Sequence, residues 1–244
     1  MQLTPPVHRA EGHGGTALLG ELQHLIEEET MKVLVACEES QTVTKAFRKL
    51  GHEAYSCDIQ ECSGGHPEWH LQQDVTELLK RDWDLVIAHP PCTYLSHAGA
   101  RWLYPKGILN QDRYAKGLEA KDFFELFLNC SCEKIAIENP VPSAIYGLPT
   151  HSQIIQPWQF GDEAQKKTLL WLRGLPDLVP TNIVGKGEMV TYASGKKKAK
   201  WFMDAAHSAT PAERAKKRSV TFQGIADAMA AQWGGALSPC GAST

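Results

Sequence analysis

The run His89-Pro90-Pro91-Cys92-Thr93-Tyr94 carries the strongest chemical signal in the chain. Consecutive prolines fix φ and remove amide donors, so they present the next side chain rigidly. A thiol held that way becomes a nucleophile once its pKa is lowered. The bland alternative is an inert core cysteine. A second run, Glu138-Asn139-Pro140, puts a carboxylate at the end of an apolar stretch. Burying a carboxylate is costly unless it has a partner or a task. Burial is expected to raise its pKa and equip it as an acid near neutral pH, the alternative being a helix N-cap. Cys57, Cys62, His66 and His70 form a Cys-x4-Cys-x3-His-x3-His series. That spacing is looser than strong zinc signatures, and a structural zinc is the lesser reading there. Cys130 and Cys132 read as helix-end packing.

The elements that must position these groups are legible from periodicity. Met31 to Cys37 (MKVLVAC) is a continuous apolar run, as in a buried parallel strand. Ser40 to Leu50 follows as a helix stopped by Gly51, and His52 to Asp58 is a second strand. Val75 to Lys80 reads as a short helix and Asp84 to Ala88 as a strand. Asp112 to Asn129 is a long helix with Phe123, Phe124, Phe127 and Leu128 on its apolar side, and Lys134 to Ile137 is a further strand. This alternation predicts an α/β fold, a doubly wound, mostly parallel sheet with helices on both faces. Ligands bind such sheets at the carboxyl ends of the strands, where both Cys92 and Glu138 fall. Beyond Pro140 the pattern fades. A strand is expected at Thr168 to Leu172, loops through Thr181 to Ser219, and a helix at Thr221 to Trp233.

The expected organisation is an N-terminal extension over 1–30 with a short amphipathic helix at Ala17 to Glu29. A catalytic domain over 31–178 and 220–235 follows, with a small basic recognition segment at 179–219 and a tail at 236–244. With 244 residues and 43% hydrophobic content, the chain can bury one sizeable core. The odd cysteine count, seven, argues against a disulfide scaffold. No apolar run approaches a bilayer span, and residues 1–10 lack a secretory pattern, so a cytoplasmic protein is expected. The net charge of −3 argues against a nucleic-acid partner until its distribution is examined. Thr181 to Val220 holds nine basic residues against three acidic ones, a surplus of six, which leaves −9 for the remainder. A basic segment on an acidic body is the footprint of a local polyanion contact, or else a solvated lysine-rich loop.

Pro90-Pro91-Cys92 and Glu138-Asn139-Pro140 resemble the catalytic motifs of the cytosine-C5 DNA methyltransferases, a Pro-Cys loop followed by Glu-Asn-Val. The run Val33 to Tyr104, with Cys37-Glu38-Glu39-Ser40, Gly51-His52 and Cys57-Asp58, resembles a compact phage and prophage branch of that family. The likeness covers roughly 31–175, with a fainter match at Thr221 to Trp233. It implies a Rossmann-like methyltransferase fold, S-adenosylmethionine as cofactor and DNA as partner. It further implies catalysis by Cys92 and Glu138 on a flipped base, with no metal, as a monomer in a bacterial host. Cys37, Glu38, Ser40, Asp58, Ile59, Asp74, Val75 and Pro90 are the implied cofactor set. Asp58 would hold the ribose and Asp74 would lie near the adenine amine. Gln165-Lys166-Lys167 resembles a Gln-x-Arg segment, which gives Lys167 the role of contacting the cytosine carbonyl. Lys186, Lys196, Lys197, Lys198 and Lys200 are the expected DNA contacts. The loop Ala36 to Thr42 departs from the family in containing no glycine.

Other readings stay open. Exocyclic-amine methyltransferases share the fold but place Asn or Asp before Pro-Pro-aromatic, where this chain has His89 and Cys92. A relative that binds DNA without catalysis, or transfers another group through the thiol, is a further reading. The segment Ser96 to Asn110 is expected either to close over a flipped base or to be a packed surface excursion.

Overall fold

Val33 and Val35 point to one face of the first strand, and Leu34 and Ala36 to the other. All four are fully buried, which is why Lys32–Ala36 (β1) sits inside the sheet rather than at its edge. The computed structural model describes residues 30–192, 194–207 and 210–235. The extension expected over 1–30, save Thr30, and the tail at 236–244 lie outside these.

Around β1 are built Glu53–Asp58 (β2), His70–Gln72 (β3), Leu85–Ala88 (β4), Ile135–Asn139 (β5), Gln153–Ile155 (β6) and Thr168–Arg173 (β7). They form one seven-stranded sheet in the order β3-β2-β1-β4-β5-β7-β6. β1 pairs in parallel with β2 and β4, β2 with β3, and β4 with β5. β7 is antiparallel to both β5 and β6. The fold is thus α/β with a mostly parallel sheet. The chain builds outward from β1 to β2 and β3, then returns through β4 to the other side. The gap between β1 and β4 is therefore the switch point at which such sheets bind ligands.

One face is covered by Thr42–Lys49 (α1), whose Phe47 packs beside Val33 and Val35, and by a late C-terminal helix that contributes Ile225, Met229 and Trp233. The other is covered by Gln111–Asn129 (α2), whose Phe124 and Phe127 lie against Leu34, Val86 and Ile137. Phe123 and Leu128 are only partly buried. Residues 75–80 form a 3-10 turn capped by Asp74, whose side chain accepts from the amide of Thr76. Among the described residues, no helix is long and apolar enough to cross a membrane.

The structure revises the sequence reading at β5 and in the basic stretch. β5 runs through Glu138 and Asn139 rather than ending before them. The basic stretch is also more ordered than expected. It holds an antiparallel hairpin of Met189–Thr191 (β8) and Lys197–Ala199 (β9), then Lys200–Ala206 (α3) and Pro211–Ser219 (α4). α4 starts with a reciprocal Thr210–Glu213 capping box. Gln223–Trp233 (α5) closes the described chain. Trp201 anchors α3, donating to the carbonyl of Gln165 at 3.1 Å and meeting the Phe222 ring edge-on.

Candidate active site

Two loops meet at the switch point. After β4, the amide of His89 donates to the carbonyl of Ala36 at the end of β1 (2.9 Å), which ties the Pro-Pro-Cys turn to the first loop. After β5, Asn139 Nδ2 donates to the carbonyl of Pro90 (2.9 Å). Ser143 and Leu95, then His97 and Val141, are bonded through their backbones at 2.7 and 2.8 Å. Cys92 and Glu138 therefore stand on two mutually braced loops. Cys92 is partly buried, and Glu138 is buried.

A third group reaches this pair because β7 runs against β5. The register pairs Glu138 with Leu170 and Asn139 with Leu169, so β7 enters the sheet at the edge where the parallel strands end. The residues just ahead of it arrive beside Glu138. The lysine whose charge acts on both Cys92 and Glu138 is Lys166. Lys167, the residue expected there, is exposed. The Gln-x-Arg spacing selects Lys167, whereas the charge that acts on both groups is that of its neighbour Lys166.

His89 is the other participant. Its Nδ1 lies 3.2 Å from Glu138 Oε2, with the two side chains 9% and 10% exposed. Burial pushes the Glu138 carboxyl up, but the Lys166 ammonium and the His89 hydrogen bond more than offset it, and the carboxyl is held below the usual range. This corrects the expectation of a raised, acid-like Glu138. The Cys92 thiol moves the other way. Burial and then the Glu138 charge raise it, with Lys166 opposing in part. These two directions favour a protonated thiol beside an ionised carboxylate.

The expected cofactor residues separate into two groups. Asp58 and Asp74 both act on Cys37, whose thiol is pushed up chiefly by burial and then by Asp58, Cys57 and Asp74. The carboxyl ends of β1, β2 and β3 thus converge. Ile59 beside them is 75% exposed, an apolar side chain with no cover. Ser40 is partly buried, its hydroxyl 3.3 Å from that of Thr42. Glu38 is turned away: its oxygens accept from the amides of Val43 (2.7 Å) and Thr44 (3.2 Å) and from the Thr44 hydroxyl (2.7 Å). It therefore caps α1 rather than facing a ligand. Val75 is in the core and Pro90 is buried. In place of glycine, Cys37 and Gln41 themselves adopt left-handed φ of 58°, a conformation non-glycine residues rarely take and hold only when packing enforces it. Gln41 is enforced by its amide, which donates to Ser56 Oγ and the His66 carbonyl and accepts from the His66 amide.

Cys57, Cys62, His66 and His70 do not gather. Cys57 faces the Gln73 carbonyl, Cys62 the Gln41 amide oxygen, His66 stacks on Trp69, and His70 bonds Ser56 and the Gln60 carbonyl. Among the described residues, no group of three such side chains is arranged to hold a metal ion.

Of the expected DNA contacts, Lys196 and Lys197 are exposed. Lys186 lies over the Trp158 ring, Lys198 over those of Tyr192 and Phe202, and Lys200 pairs with Glu188. Residues 96–110 form 3-10 turns at His97–Trp102 and Pro105–Gly107, anchored by buried Leu103, with Trp102, Tyr104 and Ile108 exposed. A cavity of about 470 Å³ adjoins the Cys92 loop, lined by Tyr94, Trp102, Asn110, Arg113 and Lys116 among others. No family model matches the chain, and no curated protein matches it.

Proposed function

We propose that this chain transfers a methyl group from S-adenosylmethionine to carbon 5 of cytosine in DNA, through a transient bond between Cys92 Sγ and ring carbon 6. The observation that carries the reading is the convergence of a partly open thiol, a buried carboxylate and a lysine at the switch point of a mostly parallel sheet.

The residues at the ends of β1 to β3 fit the cofactor in part. Asp58 and Asp74 offer carboxylates suited to ribose hydroxyls and an adenine amine, and exposed Ile59 offers an apolar surface for a ring. Glu38 serves only by holding the loop. When bound, S-adenosylmethionine supplies an electrophilic methyl group.

The chain's own residues do the rest. A cytosine turned out of the helix meets Cys92 on one side and Glu138 on another. Sγ adds to carbon 6, the ring electrons move toward N3, and the thiol proton passes through the Glu138 carboxylate to N3. Carbon 5 is thereby made electron-rich. Lys166, which favours ionisation of both groups, is suited to the ring carbonyl. After transfer the carbon-5 proton is lost to water, the electron pair re-forms the carbon 5–carbon 6 double bond and expels Sγ, and the N3 proton returns through Glu138 to the thiolate. The hairpin and helices of the basic segment, with exposed Lys196 and Lys197, and the exposed Trp102, Tyr104 and Ile108 beside the Cys92 loop, offer a surface for the DNA backbone and bases.

The test is incubation of the protein with DNA and labelled S-adenosylmethionine, followed by nucleoside mass analysis. The expected product is 5-methylcytosine, lost in Cys92→Ser while the variant stays folded. Amino-methylated bases, or no methylated base, would overturn the reading.

A further inference from the structure

His89 stands outside everything the Pro-Cys and Glu-Asn motifs require, yet its side chain is hydrogen-bonded to that of Glu138. Nδ1 to Oε2 is 3.2 Å, and both side chains are about nine-tenths buried. Its other nitrogen, Nε2, is buried without a hydrogen-bond partner among the described residues, as is Oδ1 of Asn139 next along β5. A histidine kept only for packing would be replaced at lower cost by an apolar side chain, because a buried polar atom without a partner is destabilising. The ring that carries the orphaned Nε2 is the one bonded to Glu138 through Nδ1, and Asn139 follows Glu138 directly along β5. Since an ionised carboxylate only accepts hydrogen bonds, Nδ1 carries the proton and Nε2 is left with its lone pair when the ring is neutral.

We propose that His89 is a positioning residue: its Nδ1–H fixes Oε2 of Glu138 and leaves Oε1 as the oxygen that faces the ligand and handles its proton. The proposal rests on the reading of Cys92 and Glu138 given above. With Oε2 fixed, Oε1 takes the proton released as the Sγ–H bond breaks and Sγ–carbon 6 forms. It then gives that proton to N3 as the ring electrons arrive there, and the carboxylate is restored. No outside oxidant, base or metal enters the balance of this addition. The charged and titratable groups that act on Glu138 are Lys166 ahead of β7 and His89 and Cys92 after β4. Of these, His89 is the one hydrogen-bonded to the carboxylate.

The experiment compares His89→Leu and His89→Asn with the wild type. Asparagine can return an N–H donor near the place of Nδ1, and leucine cannot. For His89→Leu the expected result is a fall in kcat of about a hundredfold, with KM for DNA within a few-fold. Its pH–rate profile should move to higher pH, because loss of the donor favours the protonated carboxyl whichever form is needed. His89→Asn should recover most of the rate. A second readout needs no turnover: the carboxyl carbon resonance of ¹³C-labelled Glu138, identified by its absence in Glu138→Gln, should titrate at higher pH in His89→Leu than in wild type, and near the wild-type position in His89→Asn. Identical titrations in all three, or equal loss of rate in both variants without a profile shift, would overturn the role. Absence of 5-methylcytosine from wild-type reactions would instead sink the methyltransferase reading and leave the carboxyl titration to decide on His89.

Discussion

Asn139 donates through Nδ2 to the carbonyl oxygen of Pro90 at 2.9 Å, and this bond, with the His89–Glu138 contact, ties the strand that carries Glu138 to the turn that carries Cys92. Asn139 is fully buried, as is most of Pro90. Asn139→Ala removes the donor, leaves a buried carbonyl without it, and should cost about 1–3 kcal/mol of stability. Urea unfolding measures the cost. Alkylation of Cys92 by iodoacetamide should become faster in the same variant, because the turn is released. Unchanged stability and unchanged alkylation would show that the two loops are held by other bonds.

Opposite charges act on the thiol, and their removal should have opposite signs. Burial and the Glu138 carboxylate raise Cys92, and Lys166 lowers it. Glu138→Gln is therefore expected to bring the thiol down and speed its alkylation at pH 8, whereas Lys166→Gln slows it. Lys167→Gln, with its side chain exposed, should do little to either. The rate of alkylation against pH, read at the Cys92 peptide by mass, checks all three.

Alkaline pH should cost the fold stability through Cys57. Its thiol is pushed from 9.0 to about 11, by burial first and then by Asp58. The folded value lies above the unfolded one, so the contribution is complete below pH 9 and is lost as pH rises toward 11. The stability difference between wild type and Cys57→Ala should therefore shrink across that window. A difference that stays constant would mean the thiol is not shielded.

The basic segment should respond unevenly. Lys196 and Lys197 are exposed and Lys198 rests over aromatic rings, whereas Lys200 is already paired with Glu188. Neutralising Lys196, Lys197 and Lys198 together should weaken DNA binding and flatten its salt dependence, by about 0.9 in log–log slope for each phosphate the protein no longer neutralises. Lys200→Gln should change the slope less. Binding isotherms at several salt concentrations measure it, and an unchanged slope would show that these lysines do not touch phosphate.

Much of the fold is legible in the sequence where local pattern and tertiary environment agree. The apolar runs at Val33 to Ala36 and Leu85 to Ala88 are buried on both faces, so composition alone marks them as inner parallel strands. Short edge strands such as His70–Gln72 and Gln153–Ile155 carry no such run and are invisible to it, because pairing rather than sequence defines them. The antiparallel entry of β7, which selects Lys166 over Lys167, is a topological fact with no local signature. The hairpin and helices of the basic segment are hidden by its lysines, since polar surface elements show little apolar periodicity. Cys92 and Glu138 stand out because both follow or end apolar runs. His89 ends such a run too, and its place at the same sheet edge is the signal available for it. Burial alone gives the wrong direction for Glu138, because it leaves out the cation and the imidazole that the fold brings to the carboxylate.

The central claim is that Cys92 sulfur bonds to ring carbon 6 of a pyrimidine during turnover. It is tested most directly with DNA containing 5-fluorocytosine, in which fluorine blocks the loss of the carbon-5 proton that frees the thiol. Incubation with this DNA and S-adenosylmethionine, then digestion and mass spectrometry, should show the Cys92 peptide carrying the methylated fluorocytosine nucleotide, with no adduct in Cys92→Ser. A protein that forms 5-methylcytosine in ordinary DNA yet leaves Cys92 unmodified by the fluorinated substrate would contradict the account.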